Sequence, residues 1–456
     1  MQLMTVQEII AATGGVWWNP AKEFPPISSI CTDSRKTQPG CLFIPLAGEK
    51  FDGHNYIDSA LAGGAAGVLC ARLPSNLRSD KFYIKVADTR LALKDLAFFY
   101  RKKFDIPFVQ ITGSVGKTTT KDMIAAVLSA KYRVLKTPEN FNNDVGVPLT
   151  LFQLSPEIQA AVIETGMNHF GEIRYLGEMV RPDIAVISNI GDAHIEFLGS
   201  REGILKAKSE IFECLKPGGT AVLNGDDALL ETLNLPFETV RCGQSEHCGV
   251  RVTDIADRGI NGITCTVTTK KGAYGLSIPA PGEHMVYPAA IAVAIGEKLG
   301  LDREEIVRGV GSYEPTGSRM HVISFPDGRT ILDDCYNANP QSVTAALEIL
   351  AKTECGKKIA VLGDMGELGG LTEQAHYNMG ALAAMLGIDQ IFAVGEKAER
   401  IAQGASQGGG TVQYFTTKEE ALPFIRTQFT EDTAMLIKAS HAMRFGWLVE
   451  QLSEEK

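Results

Sequence analysis

The residues with the clearest chemistry are Thr112-Gly113-Ser114-Val115-Gly116-Lys117-Thr118-Thr119. They stand between a β-branched run, Phe108 to Ile111, and a stretch from Lys121 to Leu128 whose apolar residues recur at helical spacing. Strand, glycine-bounded loop and helix together turn successive backbone N–H groups inward at the positive end of a helix, where they hold phosphate oxygens. Gly113, Ser114, Val115 and Gly116 supply the loop, Lys117 a point charge, and Thr118 a hydroxyl suited to Mg2+. The common pattern G-x-x-x-x-G-K-[ST] needs glycine at 111, where Ile111 stands, so this loop is a variant. A plain glycine turn with an exposed lysine is the bland alternative. The flanking strand and helix favour a nucleoside triphosphate site.

Two more reactive side chains fall at strand ends. Gln159 to Ile163 reads as a strand ending on Glu164, and Pro182 to Ser188 as one followed by Asp192-Ala193-His194. Ligands of open α/β sheets gather at the carboxyl ends of strands, which draws Glu164 and His194 toward the phosphate loop and its metal. Mg2+ prefers oxygen, and a single His after a strand is ordinarily a cap or a core residue. Arg201 to Leu215 reads as one helix: Ile204, Lys208, Ile211 and Leu215 share a stripe, while Lys206, Glu210 and Glu213 fall on the opposite, polar face. Lys208 thus takes an apolar position, either as a snorkelling lysine or as a group pointing into an active site.

The elements that position these residues are α/β throughout. A chain of 456 residues exceeds one compact core. It divides at 1–104, a small α/β domain; 105–313, a central P-loop ATPase-like α/β domain; and 314–456, a C-terminal α/β domain of dinucleotide-fold type. In the last, Thr330–Asp333, Lys358–Leu362, Gln390–Val394 and Thr433–Ile437 read as strands alternating with helical runs, the first preceded by a hairpin turn at Asp327-Gly328. Residues 137–148 are too rich in Asn and Pro for an element interior and read as loop. Hydrophobic content of 45% and charged content of 21% are those of a soluble protein. A net charge of -10 opposes nucleic acid and anionic membranes. No apolar run reaches a membrane span, so no membrane insertion is expected. The nine cysteines form no C-x-x-C pair and the N-terminus carries no signal pattern, which points to a reducing cytoplasm.

Taken together, the motifs resemble the Mur ligase and folylpolyglutamate synthetase superfamily. T-G-S-V-G-K-T-T is its variant loop. Asp33-Ser34-Arg35, with Pro39-Gly40, Leu42-Phe43 and Asp52-Gly53-His54, resembles the UDP-sugar-binding domain that opens several Mur ligases. N-N-D-V-G-V-P at 142–148, E-T-G-M-N at 164–168, N-I-G-D-A-H-I-E at 189–196 and A-K-S-E-I-F at 207–212 match the central domain. P-T-G-S-R at 315–319, D-C-Y-N-A-N-P at 334–340 and L-G-D-M-G-E-L-G at 362–369 match the third, and the last two are typical of the branch that adds D-alanyl-D-alanine.

The resemblance implies an ATP-dependent, amide-bond-forming ligase of peptidoglycan precursor synthesis. It would join D-Ala-D-Ala to UDP-N-acetylmuramoyl-tripeptide through an acyl phosphate, as a monomer. Lys117, Lys208, His194 and Arg319 would carry the chemistry. ATP would lie on Gly113, Ser114, Val115, Gly116, Lys117, Thr118, Thr119, Asn143, Arg319, Asp334 and Asn337. Two Mg2+ ions would be held by Thr118, Glu164, His194 and a carbamylated Lys208, and the substrates by Ser34, Arg35, Asn339 and Asp364. The chain departs from the pattern at Met285 and Pro288, where relatives carry asparagines facing adenine, and at His441, where an arginine usually closes K-G-S-R. A MurE-like or folylpolyglutamate-type sibling would share the ATP machinery, but D-x-Y-N-A-N-P and L-G-D-M-x-E-L-G count against both. A regulatory P-loop ATPase would hydrolyse ATP without any amine.

Overall fold

The computed structural model describes residues 1–18, 23–48 and 51–454. Its centre is the strand Phe108–Thr112, buried along its whole length and hydrogen-bonded in parallel to Ala160–Glu164 on one side and Ile184–Ile187 on the other. Covered on both faces, it buries even its two polar residues, Gln110 and Thr112, and Gln110 donates to the Thr165 hydroxyl at 3.1 Å. From it the chain first builds Ala160–Glu164 and the edge strand Val134–Lys136 on one side. It then crosses to Ile184–Ile187, Thr220–Asn224 and Glu238–Gly243 on the other. That reversal opens a crevice at the carboxyl end of Phe108–Thr112, where the phosphate loop begins. The far side of this nine-stranded sheet turns antiparallel through Val250–Asp257, Ile263–Thr269 and Gly272–Ile278.

A five-stranded sheet precedes it, in the order Val16–Trp18, Phe82–Lys85, Gly67–Cys70, Cys41–Phe43, Ser29–Cys31, with only the first pair antiparallel. The helix Thr89–Arg101, capped by the Asp88 carboxylate, fastens this sheet to the central one. Leu93, Leu96, Ala97 and Tyr100 share one buried cluster with Phe108, Leu151 and Ile163. The Arg101 guanidinium donates to the Val180 carbonyl and lies 3.8 Å from the Phe108 ring centre. A six-stranded sheet follows, ordered His321–Ser324, Thr330–Asp333, Thr433–Lys438, Lys357–Gly363, Gln390–Val394, Val412–Phe415 and parallel except at the first pair. Helices cover both its faces, each over its own apolar cluster.

Two local expectations are corrected. The expected helix from Arg201 is α-helical only over Arg201–Ser209 and tightens to a 3-10 helix over Glu210–Cys214. Ile204, Lys208, Ile211 and Leu215 are buried as the stripe requires, but so is Glu210. Its carboxylate accepts from the backbone N–H groups of Gly171 at 2.7 Å and Arg174 at 3.2 Å, capping the neighbouring helix Glu172–Val180. A charge at a helix N-terminus is stabilised there, so burial costs Glu210 little. The loop of residues 137–148 is shorter than expected, because Gly146–Leu151 is helical. Pro148 falls in its first turn, where no intrahelical N–H is needed.

Candidate active site

One cavity of about 1270 Å³ lies where the three sheets meet. The phosphate loop forms its floor. Gly113 is obligatory: a Cβ there would stand 1.9 Å from Ser188 Oγ. Gly116 has φ 76°, a left-handed cap that starts the helix Lys117–Ser129. Asn189 Oδ1 accepts from the N–H groups of Ser114 at 3.1 Å and Val115 at 2.8 Å, holding the loop's first half. The first turn of the helix presents its own N–H groups to the cavity end.

Two lysines meet at one carbonyl. Lys117 Nζ donates to Gly113 O at 2.7 Å and Lys208 Nζ to the same oxygen at 2.9 Å. Lys208 is 1% exposed, and burial, followed by the charge of Lys117, drives its pKa well below the ordinary lysine range. Burial also lowers the pKa of Lys117, with Glu164 opposing the shift and Arg319 adding to it. Both groups are therefore biased toward the neutral amine.

Glu164 is 1% exposed. Its Oε2 accepts from the Thr118 hydroxyl at 2.8 Å, its Oε1 from the Asn142 amide at 2.9 Å. His194 lines the same cavity, with Nδ1 2.8 Å from Glu367 Oε2. The carboxylate is within ion-pair reach but out of line for a hydrogen bond, so the buried Nδ1 has no aligned partner. The imidazole nonetheless holds the Glu367 carboxyl below the ordinary range. The expected convergence of Glu164 and His194 is met only as shared lining of one cavity. Among the described residues, no three His, Cys, Asp or Glu side chains cluster as a metal cage.

The third sheet supplies the opposite wall. Arg319 lies with its guanidinium 3.8 Å from the Tyr336 ring centre, and His441 stands 5.5 Å from the same ring. Asp334 accepts from the Met320 N–H at 3.1 Å and pairs with the buried Lys438, which also donates to Asn337 O at 2.9 Å. Asn337 and Asn339 line the cavity, but Asn339 is also the N-cap of the helix Pro340–Lys352. Met285, 3% exposed, and Pro288 line it as well.

Of the residues expected at the site, Ser114, Val115, Gly116, Lys117, Thr118, Thr119, Asn143, Glu164, His194, Arg319, Asp334, Asn337 and Asn339 are brought to this cavity. Gly113 and Lys208 lie just behind its floor, joined by their hydrogen bond. Three do not reach it. Asp364 accepts from the Ala398 N–H at 2.8 Å, and burial raises its pKa. Arg35 is exposed and folds its guanidinium back onto Asp33, beside Ser34 in the same short turn. Sequence reasoning gave no role to Asn189, Asn142, Tyr336, Glu367 or Lys438. Asn189 and Lys438 had a readable signal, each at or just past a strand's carboxyl end.

Three family models match in order: "Mur ligase family, catalytic domain" at residues 26–101, "Mur ligase middle domain" at 111–296 and "Mur ligase, glutamate ligase domain" at 318–441. The UDP-N-acetylmuramoyl-tripeptide:D-alanyl-D-alanine ligase of Bacillus subtilis (strain 168) is 38% identical over 99% of this chain and 98% of its own. The chain belongs to the Mur ligase family. The like-named ligase of Escherichia coli (strain K12) is 34% identical over 94% of both. Among solved members of the family, MurF from Acinetobacter baumannii superposes with a TM-score of 0.91 at 35% identity, covering all of both chains. The Thermotoga maritima MurF ligase, solved in complex with ADP, gives 0.83 at 27% identity, covering 94% of this chain and 97% of its own. Mycobacterium tuberculosis folylpolyglutamate synthase, at 18% identity and 0.65, shares the fold.

Proposed function

We propose that this Mur ligase joins D-Ala-D-Ala to UDP-N-acetylmuramoyl-tripeptide at the expense of ATP, as a cytoplasmic monomer of three domains, 1–104, 105–313 and 314–456. One observation carries the reading. The phosphate loop with Glu164 and His194 on the central sheet faces Arg319, Asp334 and Tyr336 on the third across a single cavity, in a chain alike over its whole length to ligases of that name.

The carboxylate that ends the tripeptide is inert toward amines because oxide is a poor leaving group. Its oxygen attacks the γ-phosphorus, the bond to ADP breaks, and an acyl phosphate forms. The free amine of D-Ala-D-Ala then attacks the acyl carbon, an amide forms, phosphate leaves and the amine loses its proton. Helix N–H groups, Lys117 and Arg319 surround the charge that moves onto the transferring phosphoryl group. Tyr336 keeps the Arg319 guanidinium flat, and Lys438 holds Asp334 for the ribose hydroxyls. Domain closure excludes water from the acyl phosphate.

The donor set fits Mg2+. Thr118 and Glu164 offer oxygen, and in the same cavity Ser114 Oγ is a buried polar atom without a partner and His194 offers the imidazole nitrogen that does not face Glu367. Lacking a protein cage, the ions would draw their other ligands from phosphates and water, as Mg2+ ordinarily does. When bound they supply positive charge to the phosphoryl oxygens. Lys208, as a neutral amine, takes up CO2 with loss of a proton to give an anionic carbamate that fits the same role. The deciding test is a coupled phosphate-release assay. Release is expected only with UDP-tripeptide and D-Ala-D-Ala both present. Equal release with either omitted would favour a hydrolase and overturn the reading.

A further inference from the structure

His194 follows the central strand Ile184–Ile187, whereas Glu367 follows the third-sheet strand Lys357–Gly363. Both have left-handed backbone, with φ of 67° and 59°. Side chains other than glycine keep that conformation only where the surroundings over-determine it, and such positions gather at functional sites. Here the two side chains meet at 2.8 Å, Glu367 Oε2 against His194 Nδ1. The pair belongs to a wider seam between the two sheets. The short helix Ile195–Leu198 packs on the turn Gly369–Leu371, and a Cβ on Gly191 would stand 2.6 Å from Gln341 Oε1. Glu367's own loop is braced from behind: the buried His376 accepts from the Met365 N–H at 2.9 Å and bonds Thr372 O through its other nitrogen.

An imidazole ligates a cation through one deprotonated nitrogen, and the group facing the other nitrogen sets the tautomer and the ring plane. A carboxylate beside Nδ1 favours a proton there and leaves the Nε2 lone pair for a cation in the cavity. We infer that Glu367 is a positioning residue for His194, delivered by the third domain, so that the imidazole ligand is fixed only when that domain is seated against the central one. This makes the cation site conditional on closure. It rests on the proposed role of His194 as a cation ligand.

The experiment uses Mn2+ as probe, titrated by electron paramagnetic resonance into the full-length protein with ADP and without turnover. Glu367→Ala should weaken one Mn2+ by 10- to 100-fold, the usual cost of losing a ligand's orienting partner. Glu367→Gln should keep most of the affinity, because its amide oxygen stands where the carboxylate oxygen does and faces Nδ1 in the same way. In a His194→Ala background Glu367→Ala should cost nothing more, since the coupled partner is gone. In turnover, Glu367→Ala should lower kcat while KM for D-Ala-D-Ala moves less than roughly twofold. Unchanged Mn2+ affinity in Glu367→Ala, an equal loss in Glu367→Gln, or a full additional loss in the His194→Ala background would each overturn the inference. A raised KM for D-Ala-D-Ala at unchanged Mn2+ affinity would make Glu367 an amine contact instead. The Mn2+ titration needs neither amine nor UDP-tripeptide, so its outcome is separate from that of the phosphate-release test.

Discussion

Replacing Lys208 by methionine should abolish ligation while leaving the ligand-free protein as stable as before, or more so. Lys117 and Lys208 donate to one oxygen at 2.7 and 2.9 Å, so their Nζ atoms are at most about 5.6 Å apart (2.7 plus 2.9 Å laid end to end). Two like charges at that separation repel by about 3 kcal/mol at an effective dielectric constant of 20. Burying an ammonium with a single acceptor costs several kcal/mol more, on the order of what other buried charges cost. Against this, Lys208→Met loses one charge-assisted hydrogen bond, about 1.5–3 kcal/mol. Gly113 O is not orphaned, because Lys117 still donates to it. Methionine is of similar length and fits a position that the helix stripe makes apolar. Loss of the proton, toward which burial biases Lys208, relieves most of both penalties, so the balance favours the variant by only roughly 1–3 kcal/mol, and each kcal/mol raises Tm by roughly 2–4 °C for domains of 150–250 residues. Calorimetric unfolding in CO2-free buffer measures this. Bicarbonate should then raise the Tm of the wild type, as a carbamate attracted to Lys117 replaces the buried amine, and leave Lys208→Met unmoved. A Tm several degrees lower for Lys208→Met, no response of the wild type to bicarbonate, or ligation by the variant would refute the reasoning.

Lys208→Ala should likewise be inactive but partly rescued by acetate or formate, while Lys206→Ala, an exposed lysine 5.8 Å from the Phe170 ring centre, should keep near wild-type turnover in the same assay. Lys117→Ala should abolish phosphate release yet leave UDP-tripeptide affinity by calorimetry unchanged; a lost affinity would mean that the two sites are not separate. With Met285 and Pro288 lining the cavity, base reading there is apolar, and GTP or ITP should support a measurable fraction of the ATP rate, since such surfaces discriminate weakly. His376 is buried with both ring nitrogens engaged, and burial lowers its pKa from 6.5. The unfolded chain therefore binds the proton more readily. Its contribution to stability should be complete above pH 6.5 and lost as pH falls through the depressed folded value, a slope that His376→Gln should flatten in urea titrations across that range. Glu210→Ala strips two N–H acceptors from the start of Glu172–Val180 and should cost about 1–2 kcal/mol in the same titration.

Local sequence decided the parts of this protein whose physics is local. A phosphate loop is a contiguous peptide whose glycines, lysine and threonine act through their own backbone, and it stands where strand and helix patterns meet. Strand ends marked Glu164 and His194, and helical periodicity alone singled out Lys208 as the polar member of a buried stripe. Periodicity reports which face is apolar; it says nothing of whether a polar residue on the other face finds a partner across the fold. Glu210 therefore read as solvated, although a helix N-terminus 36 to 39 residues earlier buries it. The resemblance set Asp334 at ATP, and only folding brought Lys438 to it, 104 residues on. Asn339 was expected at the substrate only through the resemblance of its motif, and it proves to start a helix as well. Asn189 on the loop amides, Tyr336 beneath Arg319 and Glu367 against His194 pair segments that no periodic pattern links. Such contacts depend on how sheets and domains are set against one another, and only the packed cores fix that.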